Sequence, residues 1–132
     1  MKSNQLPVYG KLLLTCFLLG GLLPNTLSSK NLDSLRTLWN NTNLHDTIRL
    51  NAIDEYAWEG FGYSQPDSAF YFAQLEYDFA EKSNHIDWMA KALNTQGNTW
   101  IVRGQYLKAY DCFIRSLNFS ESIENKQILG NT

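Results

Sequence analysis

The sequence predicts an all-α protein in which antiparallel helix hairpins stack as an α-solenoid. Three observations predict it. Apolar residues recur every three or four positions through most of the chain after residue 30, the period of an amphipathic helix. Proline and glycine are scarce there and stand at the joints between these stretches. The chain also matches itself when shifted by 40 residues, and a self-match at about 20 to 50 residues marks a stacked repeat.

Residues 1–29 read separately as a secretory signal peptide. Lys2 and Lys11 flank a polar start, an uncharged apolar run follows from Leu12 to Leu23, and Pro24 breaks it before the small residues Thr26, Ser28 and Ser29. The run is about a dozen residues, short of the roughly 20 that span a bilayer. Cleavage is expected after Ser28 or Ser29, with an uncleaved anchor as the other reading. Cys16 would suit a lipoprotein only if it closed the apolar run, and Phe17 to Leu23 continue it. Removal of this segment leaves Cys112 as the one cysteine, so no intramolecular disulfide forms and packing must supply the stability.

A leading helix and linker occupy residues 30–44. Leu32, Leu35, Leu38 and Trp39 share helical spacing, and Asn40 to Leu44 form a polar link. A helix then runs from Asp46 to about Gly60, with Ile48, Leu50, Ile53, Tyr56 and Ala57 on its apolar side. Residues 60–66 make a turn whose Pro66 suits the first position of the next helix, where a missing N–H costs nothing. That helix carries Ala69, Phe70, Phe72, Ala73, Leu75, Tyr77, Phe79 and Ala80 and ends at Ser83-Asn84-His85. The next runs from Asp87 to Val102, Arg103-Gly104-Gln105 turns, and the last helix runs from Tyr106 to Ile123 before Glu124-Asn125-Lys126 closes it. Connections this short make neighbouring helices antiparallel.

The 40-residue shift pairs His45 with His85, Ala52 with Ala92, Gln65 with Gln105, Ala69 with Ala109, Phe79 with Phe119 and Glu81 with Glu121. Ile53 with Leu93, Asp54 with Asn94, Ala57 with Gly97 and Phe70 with Tyr110 are conservative partners. Residues 45–84 and 85–125 are therefore read as two repeats, and 126–132 as the start of an incomplete third. The chain is expected to be a fragment that exposes the apolar side of its last hairpin, because repeat units bury their faces against neighbours. Gly97 and Ala109 lack bulk where two helices meet, and Trp100, Tyr106, Phe113 and Leu117 are expected to fill the space around them.

The second repeat resembles a tetratricopeptide repeat. Leu93, Gly97 and Trp100 fit the first-helix signature of a large residue, a small one and an aromatic, and Ala109 with Phe113 fit the second. Gln96 and Glu121 depart from the pattern. In the first repeat Ala57 and Ala69 match, whereas Gly60 and Ala73 stand where aromatics are usual. The 40-residue period exceeds the family's usual 34 or so. The resemblance implies a protein or peptide partner held on the face of the first helices, by Asn51, Asp54 and Trp58 in one repeat and Lys91, Asn94 and Asn98 in the next. It implies no catalysis and no cofactor.

The signal segment, the leading Leu38-Trp39-Asn40, Asp46 to Ala52 and the turn Ser64 to Ala69 resemble the N-terminal exported part of Bacteroidetes-type sensor proteins. There, an exported repeat array precedes a membrane helix and a kinase, cyclase or DNA-binding output. A periplasmic sensory segment is thus expected, the membrane being reached only through the signal segment or a helix further on. The alternative is a free-standing periplasmic adaptor that self-associates through its last hairpin.

Other chemistries find no constellation. A net charge of −2 without a basic cluster argues against nucleic acid. His45 and His85 are the only histidines and stand at equivalent loop positions, too few for a metal site. Gly60-Phe61-Gly62 lacks the lysine of a phosphate loop. Cys112 lies mid-helix among Tyr110, Phe113 and Ile114 and reads as a buried thiol.

Overall fold

The computed structural model describes residues 25–130, with side chains from residue 31. The chain divides into two units, Met1–Asn31 and Leu32–Thr132, and the second holds the domain described here. The apolar run of the expected signal segment and Cys16 lie outside the described residues.

Five α-helices follow one another: α1 (Asn25–Asn40), α2 (Asp46–Phe61), α3 (Pro66–Lys82), α4 (Ile86–Val102) and α5 (Tyr106–Gly130). Each of α2 to α5 packs on its sequence neighbour in antiparallel fashion, and α2 also touches α4. The domain is all-α, with its helices packed sequentially.

Each joint has a local cause. His45 caps α2, its ring nitrogen Nδ1 accepting from the Thr47 N–H at 3.4 Å. Pro66 opens α3, and the helix ends where Asn84 takes a left-handed conformation, φ 58°. The Asn84 N–H bonds to the Glu81 carbonyl and the His85 N–H to the Ala80 carbonyl. Helix α4 ends in the same way: Gly104 has φ 70°, its N–H bonds to Ile101 and the Gln105 N–H to Trp100. Both ends are Schellman motifs, which glycine and asparagine tolerate best. Helix α5 runs unbroken through the expected close at Glu124-Asn125-Lys126, because no proline or glycine interrupts it before Gly130.

The core is built largely from small residues. Ala52, Ala57, Ala69, Ala73, Ala80, Ala90, Ala92 and Ala109 are buried, with Leu50, Ile53 and Leu93 filling between them. At Gly97 an added Cβ would stand 2.6 Å from the Phe113 ring, so the α4–α5 approach depends on a missing side chain. Trp100 and Phe113 are half-buried about that approach, but Tyr106 and Leu117 are exposed, against expectation. No described helix covers the outer face of α5, so they have nothing to pack on. Ile48 likewise faces outward rather than into the core.

Helix α1 packs through long side chains. Leu35 is buried, Leu32 lies over Gly60, and the Trp39 ring meets Phe79 edge-on at 5.4 Å. The Trp39 carbonyl accepts from Arg49 Nε at 3.1 Å. Leu32 thus sits at the end of α2 and Trp39 near its start, so α1 runs antiparallel to α2.

Candidate functional site

Asn51, Glu55 and Glu59 lie along the outer face of α2, and Asp87, Lys91 and Asn94 along that of α4. Asp54, Trp58 and Asn98 are half-buried at the edges of these faces. Helices α2 and α4 are in contact, and Asp54 and Lys91, expected from two separate repeats, are near enough to interact electrostatically. Asn51 donates from Nδ2 to Glu55 Oε1 at 2.8 Å, and Trp58 rests edge-on against Tyr63 at 5.1 Å. Lys91 Nζ sits over the Trp88 ring at 3.6 Å from its centroid, a cation–π contact.

Electrostatics tie three helices together at this surface. Asp54 of α2 is raised above its ordinary carboxylate range by burial, while Lys91 of α4 pulls it down. Glu76 of α3 is fully buried, and burial pushes its carboxyl up to about 9, with Asp54 adding to the rise and Lys91 opposing it. Neither Glu76 carboxyl oxygen has a hydrogen-bond partner among the described residues. At neutral pH Glu76 is therefore an uncharged acid within electrostatic reach of Asp54 and Lys91. This cluster is unusual, since buried polar groups are nearly always satisfied.

Sequence reasoning reached Asp54 and Lys91 and missed Glu76. The signal was present: Glu76 is three residues after Ala73 and four before Ala80, which places it on the stripe that buries both. A charge on an alanine stripe marks a site rather than a solvated face.

The residues expected to define the repeats fall at the helix contacts. Ala57, Ala69, Leu93, Gly97 and Ala109 are buried, and Trp100 meets Phe70 of α3 at 5.1 Å. Cys112 is a buried free thiol, pushed upward mainly by burial. No group of three or more His, Cys, Asp or Glu among the described residues could hold a metal ion. No helix among them is long and apolar enough to cross a membrane. No family model, curated protein or solved structure matches the chain.

Proposed function

We propose that this chain is a tetratricopeptide-type scaffold that binds a protein or peptide on the face formed by α2 and α4, as the exported, periplasmic sensory segment of a larger signalling protein. The observation that carries the binding reading is the buried Glu76 carboxyl of α3, unpartnered among the described residues, with half-buried Asp54 of α2 and exposed Lys91 of α4 near enough to act on it electrostatically. Around them Asn51, Asn94 and Asn98 offer side-chain amides able to bond an extended peptide backbone. The 40-residue self-match supports the repeat reading.

The test is selection of peptides on the immobilised domain, followed by titration of the double variant Lys91→Ala, Asn98→Ala. Weakened binding with unchanged helicity by circular dichroism is expected. Binding that persists in the double variant would place the partner elsewhere.

A second reading, a free-standing adaptor that self-associates, has its own support. Leu107, Tyr110, Leu117 and Leu129 stand 52 to 88% exposed on the outer face of α5, and exposed apolar patches of this kind mark interaction surfaces.

A further inference from the structure

A cleft of about 380 Å³ lies between α1, α2 and α3, on residues the scaffold reading does not use. Its origin is the way α1 packs. The other helices approach through alanine and glycine, whereas α1 is held at one end by Leu32 over Gly60 and at the other by Trp39 on Phe79 and Arg49.

Aromatic rings form the floor. Phe72 meets Tyr56 edge-on at 4.8 Å and Tyr71 at 5.3 Å, and the Trp39 indole makes a wall. Arg36 and Asn40 lie one helical turn apart on α1, both exposed, at the edge of the cleft. Arg36 is the only charged side chain in the lining, and no acid neutralises it there. The side chains of Arg36 and Asn40 make no hydrogen bond or ion pair with any described residue.

We propose that this cleft binds a small aromatic carboxylic acid, its ring against Phe72 and Trp39 and its carboxylate on the Arg36 guanidinium and the Asn40 amide. The forked donors of arginine match a carboxylate in a bidentate pair. The volume is at the lower end of small-molecule sites, suited to a single ring on a short chain.

The experiment is a titration of the full ¹⁵N-labelled chain with 4-phenylbutyrate, its neutral amide and 4-phenylbutylamine, followed by amide and Arg Nε–H resonances. The carboxylate should shift Arg36, Asn40 and Phe72, binding about tenfold more tightly than the amide, with the amine weakest. Arg36→Gln, a surface change, should reduce the carboxylate to the affinity of the amide, and Leu75→Trp should fill the cleft and abolish binding in a chain of unchanged helicity. Equal binding of all three probes would overturn the assignment. So would shifts centred on Leu107 and Tyr110 of α5, or full affinity in Arg36→Gln.

Discussion

Helices α3 and α5 are the second members of two hairpins 40 residues apart, and their surroundings differ: α3 packs against both α2 and α4, whereas among the described helices α5 packs against α4 alone. Ala69 and Ala109, facing inward at matching positions, are both buried. On the outer face the pairs diverge. Phe70 packs on Trp100, while its counterpart Tyr110 is 67% exposed. Gln74 accepts from Gln96 Nε2 at 2.9 Å, while Ile114 faces outward. The inner polar pair is equally instructive. Ser116 is buried and donates to the Ala90 carbonyl at 2.8 Å, whereas Glu76, at the matching position, is buried with no partner. Burial along these helices is thus set by the neighbour that arrives, and satisfaction by the reach of the side chain.

The comparison can be broken hardest at the closest approach. Gly97→Leu should overpack α4 against Phe113 and destabilise the chain by about 3 kcal/mol, measured by urea unfolding. Leu107→Lys on the bare face of α5 should change stability by less than about 0.5 kcal/mol, so the two substitutions separate a covered face from an uncovered one.

Glu76→Met removes an unpartnered buried acid and keeps its volume. It should stabilise the chain by about 1–3 kcal/mol, the order of cost of a buried unsatisfied polar group. The matching Ser116→Ala should destabilise instead, since it leaves the Ala90 carbonyl without that donor.

The pH dependence sharpens the same contrast. Folded Glu76 keeps its proton to about pH 9, whereas the unfolded chain releases it near the ordinary value of 4.5. Between these values the unfolded state binds fewer protons, so stability falls as pH rises, by up to about 1.4 kcal/mol per unit. The contribution is full below about 4.5 and lost above about 9, and the raised Asp54 acts in the same direction. Denaturant midpoints from pH 5 to 8 should therefore decline in the native chain and flatten in Glu76→Met. An unchanged slope in the variant would show that Glu76 is not the titrating group.

The smallest effect is expected at the bare face. Dilution series by analytical ultracentrifugation should show association that Leu107→Lys with Leu117→Lys weakens, with little change in melting temperature. A strictly monomeric native chain would remove the support for self-association.

Much of this was legible along the chain. Pro66, the Asn84 and Gly104 left-handed ends and the polar Asn40–Leu44 link bound helices α2 to α4 within about a residue of expectation, because helix ends are set by local backbone chemistry. Asp54 and Lys91 were named from the family resemblance, whereas Glu76 beside them was not. Other features were not legible. The alanine and aromatic stripes of α3 and α5 look alike in sequence, so nothing local distinguishes the face that α4 covers from the one left bare. Ile48 and Leu117 have the spacing of core residues yet are exposed, since spacing tells which residues share a face and not what the face meets.

The sequence by itself determined five helices, their short antiparallel joints and the small residues that let them approach, all consequences of local propensity and side-chain size. Tertiary structure alone decided that Glu76 is sealed in uncharged near Asp54 and Lys91, and that a cleft is left between α1, α2 and α3. Both depend on desolvation and shape, which arise only when residues distant in the chain come together.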